Sequence, residues 1–184
     1  MMIKNTINEY GLVAKCLHWL IALLLICMFL VAYTMINIPR SEFQFTLFYL
    51  HKATGLLILG LITLRLVWRL INVQPPLPPT VPQWQHVLSR SIFILLYILV
   101  FAMPLSGFLM STLGGHTVSF YSLFVIPAFD ENKALSSFFA ETHNILSYIL
   151  IAAFVLHVLG ALYHHYFLKD KVLSRMWFTP NKTI

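Results

Sequence analysis

Four histidines lie inside long apolar runs, where an ionisable side chain is costly and normally has a partner: His18, His51, His143 and His157. His143 and His157 share the last hydrophobic stretch, Ala134 to Leu168, and are fourteen residues apart. In a helix that interval turns through about 1400°, about 40° short of four full turns, and rises roughly 21 Å. Both imidazoles therefore leave one face at two depths, and each asks for a second ligand or hydrogen-bond partner on another element.

The elements that position them follow from composition. Of 184 residues 59% are apolar and 10% charged, and the mean hydropathy is +0.81, so the chain is expected to be an integral membrane protein in one all-α bundle. Four spans of about 20 residues or more fit the length, and the expected helices cover about 12–38, 43–73, 85–112 and 134–168. The first apolar run is longer than the roughly 7–15 residues of a signal-peptide core and precedes no Ala-x-Ala site, so it is read as the first span. Gln74 to Pro82, with five prolines, is a stiff non-helical connector. Met103-Pro104 and Ser106-Gly107 predict a kink in the third helix, and 113–133, rich in Gly and aromatics, is expected to lie over the bundle at the interface. The basic segment 169–184 reads as an amphipathic cytoplasmic tail resting on the membrane surface.

The net charge of +6 is better tested against the positive-inside rule than read as a nucleic-acid signal. Grouping the N-terminus, the proline connector and the tail gives nine cations, against Arg40, Lys52 and Lys133 on the other side. That asymmetry places both termini in the cytoplasm. His51 and His143 then fall near the outer side and His18 and His157 near the inner side, so the four sort into two pairs, each joining two helices at one depth.

Paired imidazoles without a thiolate or carboxylate suit six-coordinate haem iron better than zinc, which usually takes three or four protein ligands. Each pair would clamp one non-covalent b-type haem. Cys16 and Cys27 form no Cys-x-x-Cys-His, which excludes c-type attachment. Gly55, one turn after His51, leaves the helix face bare for a flat ligand, and Gly160 stands near His157. The plainer reading is four satisfied intramembrane polar residues that hold helices together; the two matched depths and the shared spacing favour the ligand reading.

With these residues the sequence resembles the prokaryotic four-helix cytochrome b561 family over nearly its whole length. The matching stretches are Leu17-His18-Trp19, His51-Lys-Ala-Thr-Gly55 with Leu64-Arg65, the proline connector, Met103-Pro-Leu-Ser-Gly107, and His143 to His157 running into His164-His165-Tyr166-Phe-Leu-Lys-Asp170. The resemblance implies a di-haem b cytochrome of the bacterial inner membrane, oxidising superoxide at the periplasmic haem and passing electrons to ubiquinone.

On that reading Arg65, fourteen residues after His51, would pair with a propionate of the inner haem, while Arg69 snorkels to the cytoplasm. Lys52 and Arg40 would serve the outer propionates or attract an anion. His164, seven residues after His157, is a candidate proton donor or quinone ligand, with His165 the weaker one; His86 and His116 are expected at the surface. The outer side carries three cations against four carboxylates, which is no strong funnel for an anion. The competing reading is a haem b anchor subunit linking quinone to a bound periplasmic dehydrogenase or hydrogenase.

Overall fold

A computed structural model describes residues 2–78 and 81–178. Four helices long and apolar enough to cross a membrane form the bundle: α1 (Leu12–Asn37), α2 (Glu42–Leu70), α3 (Gln83–Leu113) and α4 (Lys133–Tyr166). Most of each span is open to the surroundings. On α1 the exposed face carries Leu20, Leu23, Ile26 and Leu30, side chains that only a lipid environment would cover. The start of α1 is the expected one and the other helix ends move by one to three residues; side-chain caps set the starts of α2 and α4. Ser41 accepts from Gln44 N to start α2, and Asn132 accepts from Leu135 N to start α4. Pro104 lies within α3, which runs on as far as Leu113.

The backbone of α1 packs on α2, α2 on α3, and α3 on α4. Their shared core is Ile21, Ile58, Ile62, Leu99, Val100, Leu150 and Ala153. Leu150 lies midway between His143 and His157, so the fourteen-residue interval is filled by apolar packing. The close backbone packing of α4 is against α3; α1 and α2 stand off from it, and paired imidazoles bridge that gap.

At one end, here the hairpin end, Gln44 Nε2 donates to the carbonyls of Met35 and Ile38 and closes the α1–α2 turn. The long connection forms an antiparallel hairpin there, β1 (Val118–Phe120) and β2 (Phe124–Ile126), an exception to the all-α expectation. It lies on α2 through Thr54 Oγ1 and Tyr121 Oη, 2.7 Å apart, with Tyr49 Oη 3.3 Å from Ser122 Oγ. The connection therefore covers the bundle end, as its aromatic content predicts.

At the other end, the linker end, the N-terminal segment, the proline connector and the tail come together. Asn5 Nδ2 donates to Val73 O, and Arg175 Nη1 donates to Pro76 O. The described part of the tail makes contacts of its own here. Lys169, at φ 51°, reverses the chain after α4, and Trp19 Nε1 then donates to Met176 O at 2.9 Å. Trp177 meets Trp19 edge to face with ring centres 5.2 Å apart. The described part of the tail is folded against α1 and the connector, where the Trp19 indole N–H and the two rings find partners. Pro79, Thr80 and the tail beyond Phe178 lie outside the described residues, Lys182 among them.

Candidate functional site

The four histidines form two facing pairs. His51 on α2 and His143 on α4 have ring centres 6.3 Å apart with planes crossing at 80°. His18 on α1 and His157 on α4 are 6.1 Å apart at 75°. A direct bond between two ring nitrogens would bring the centres to about 5 Å, and neither pair makes one. An iron with nitrogens about 2.0 Å to either side, each ring centre about 1.1 Å further back, requires about 6.2 Å. Either pair therefore has room for an iron between its two rings.

Hydrogen bonding fixes the tautomer of one of these imidazoles. His143 Nδ1 lies 2.9 Å from Met103 O and 3.1 Å from Ser106 Oγ, while Ser106 Oγ itself donates to Met103 O at 2.8 Å. A carbonyl only accepts, so Nδ1 carries the proton and the Nε2 lone pair is free to ligate a metal, the arrangement common among metal-bound histidines. His51 Nδ1, by contrast, is buried without a hydrogen-bond partner. A ring in that position cannot be explained as a satisfied core histidine, which weakens the helix-tie reading.

Glycine sets the closest approach, at a position other than the expected one. An added Cβ at Gly107 would stand 2.8 Å from His143 Cε1 and 3.1 Å from its Nδ1, so only glycine lets that ring reach Met103 O. At Gly55 a Cβ would meet only Met28 Cε, at 3.9 Å, and at Gly160 nothing within 4 Å. The face beside Gly55 is thus open, as a flat ligand requires, whereas Gly107 serves the ligand itself. The sequence reading took Ser106-Gly107 only as a kink signal, since nothing in one chain says which helix glycine meets an imidazole.

A cavity of about 210 Å³ opens beside His18 and His157. Arg65, Arg69, Phe93, Tyr97 and the tail residues Arg175 and Met176 are among its walls. Arg65 Nη1 donates to Ala14 O at 3.2 Å, and the Arg69 guanidinium lies 5.8 Å from the Phe93 ring centre and 5.7 Å from that of Tyr97. The structure thus brings Arg65 to the pair His18 and His157, and with it Arg69, for which snorkelling alone was expected. His164 is brought elsewhere: its Nδ1 is 2.5 Å from Asp170 Oδ2, both side chains are 12% exposed, and it is not part of the cavity wall. His165 and His116 are exposed and His86 is half-buried, away from both pairs.

No group of three or more His, Cys, Asp or Glu side chains suited to a metal ion occurs among the described residues. Two-imidazole sites between stand-off helices, with arginines beside one of them, fit haem iron and its propionates. The fold and these sites define a class: a membrane-spanning b-type cytochrome built as a helical bundle.

Comparison with known proteins agrees. The profile of the prokaryotic cytochrome b561 family matches residues 9–179. The chain is similar to cytochrome b561 homolog 2 of Escherichia coli (strain K12), with 32% identity over 179 residues covering 96% of this chain and 95% of that one. Homolog 1 of the same organism is 35% identical over 129 residues, 68% and 72% of the two chains. The probable superoxide oxidase CybB of Yersinia pestis is 30% identical over 176 residues, 92% and 96%. The chain belongs to the prokaryotic cytochrome b561 family, whose members bind b-type haem and transfer electrons.

Planes that cross near a right angle carry a spectroscopic prediction. Crossed imidazoles leave the two iron d orbitals that π-bond with them close in energy, whereas parallel rings split them. The oxidised, haem-loaded protein should therefore give strongly anisotropic low-spin EPR signals. A rhombic spectrum of the parallel type would contradict the 75° and 80° geometry.

Proposed function

We propose that the chain is a di-haem b-type cytochrome of the bacterial inner membrane that oxidises periplasmic superoxide to dioxygen and reduces ubiquinone, with both termini in the cytoplasm. Two superoxide ions become two dioxygen molecules as one ubiquinone and two protons become ubiquinol. The observation that carries this reading is two facing imidazole pairs at two depths of one bundle, linked by a single helix and roughly 21 Å apart. The haem supplies the one-electron chemistry. His51 with His143, and His18 with His157, orient and ligate; Arg65, Arg69 and Arg175 would meet propionates at the linker end.

The collection of basic segments at the linker end supports a cytoplasmic placement of that end. Gly55 keeps the helix face clear for the haem between His51 and His143. His164, bonded to Asp170 beside the cavity, would be the proton donor for quinone reduction.

The test is stopped-flow mixing of the oxidised, haem-loaded protein in detergent with a pulse of superoxide. Rapid haem reduction, abolished by superoxide dismutase and reversed by ubiquinone, is expected. Reduction by ubiquinol alone, with a dehydrogenase or hydrogenase co-purifying in fixed ratio, would overturn this reading in favour of an anchor subunit.

A further inference from the structure

Resting on the two-haem reading above, we infer that the chain builds a potential difference into its two sites: Met103 O, Ser106 and Gly107 make His143 a stronger electron donor at the hairpin end, and three arginines on a cavity wall that includes no carboxylate among the described residues favour reduction at the linker end. One electron thus leaves the site of His51 and His143, oxidising it, and arrives at the site of His18 and His157, reducing it; no atom or proton is exchanged.

The first half of the argument is the asymmetry among ligands. His143 Nδ1–H is held by two acceptors, Met103 O at 2.9 Å and Ser106 Oγ at 3.1 Å. Withdrawing that proton pushes electron density to Nε2 and favours the oxidised metal. Gly107 permits the approach, since a Cβ there would collide with the ring. His18 and His157 make no such hydrogen bond; their ring neighbours are Trp19 and Phe93.

The second half is charge. The cavity beside His18 and His157 is walled by Arg65, Arg69 and Arg175 and by no carboxylate. Their contacts are the carbonyls of Ala14 and Pro76 and the rings of Phe93 and Tyr97. Asp170, the acid of the tail, is taken up by His164. A haem brings two propionates, so three guanidiniums leave one positive charge in excess in a low-dielectric setting, which favours the reduced state. At the hairpin end Lys52 adjoins one ligand in the chain and Glu141 stands two residues from the other.

The experiment is a spectroelectrochemical titration of the detergent-purified, haem-loaded protein, with haem counted per chain. Two waves are expected. Ser106→Ala should raise only the lower wave, by up to about tenfold in equilibrium constant, or about 59 mV for one electron. Gly107→Ala should raise it further or lose that haem alone. Arg65→Gln should lower only the upper wave; Arg175→Gln, on the tail, should do the same if the Arg65 variant folds poorly. Ser106→Thr, which keeps a hydroxyl, should restore the lower wave. Two haems per chain with coincident waves, or Ser106→Ala moving the upper wave, would overturn this inference and leave the two-haem reading standing. A single haem per chain would overturn that reading itself.

Discussion

On the proposed function, His143→Leu should leave about one haem per chain, and the protein should no longer accept electrons from superoxide. The substitution keeps the span apolar and helical, so the bundle forms, while the pair at the hairpin end loses a ligand. Losing merely the hydrogen-bond partner of a metal ligand typically costs about 10- to 100-fold in affinity, so losing the ligand should empty that site at working concentrations. His157→Leu is the informative companion. It empties the linker-end site and stops ubiquinone reduction, but superoxide still reduces the remaining haem once. Single-turnover stopped flow distinguishes the two variants: a dismutase-sensitive absorbance change for His157→Leu and none for His143→Leu, with the rate falling more than about a hundredfold. Equal responses would refute the assignment of the hairpin end as the entry side, and an undiminished haem count in either variant would refute the ligand pairs.

What made those ligands legible is that a membrane leaves histidine few uses. In an apolar span each imidazole demands a partner, and a fourteen-residue interval fixes both its face and its depth. The pairings His51 with His143 and His18 with His157 follow from antiparallel spans alone, before any contact is known. Arg65 was legible for the same reason, as a guanidinium at the depth of a ligand pair.

The supports of the ligands were not legible, because they depend on which faces of two helices meet. Gly55, one turn from a ligand in its own helix, is conspicuous in the sequence, yet Gly107 is the glycine that touches an imidazole, across the α3–α4 contact. The bond from His143 to Met103 O spans 40 residues and has no local signature. The hairpin was missed on different grounds. Its strands are three residues each, too short for a period-2 pattern, and its turn uses Tyr121 and Ser122 in the left-handed region in place of the expected Gly or Asn.

The tail carries the last expected result: Asp170→Ala loosens the wall of the inner cavity while leaving the bundle intact. Asp170 accepts from His164 through one oxygen and from Val172 N through the other, at 2.5 and 2.9 Å, and so ties the end of α4 to the segment that brings Arg175 and Met176 to the cavity. Removing a mostly buried carboxylate that accepts two such bonds costs about 2 kcal/mol, or about thirtyfold in the equilibrium for local opening. Trypsin should then cut after Lys171 and Arg175 roughly that much faster, and the haem beside His18 and His157 should pass to excess apomyoglobin sooner than the other. Asp170→Asn, which keeps an acceptor for Val172 N but turns an amide N–H donor toward His164, should fall between. The contacts of Trp19 with Met176 O and Trp177 hold the segment from the opposite side, so Trp19→Phe combined with Asp170→Ala should exceed either change alone. Cleavage and haem transfer at wild-type rates in the double variant would mean that the tail is not a wall of the site. If it is one, the basic stretch read in the sequence as resting on the membrane surface also brings a third guanidinium to the cavity beside His18 and His157.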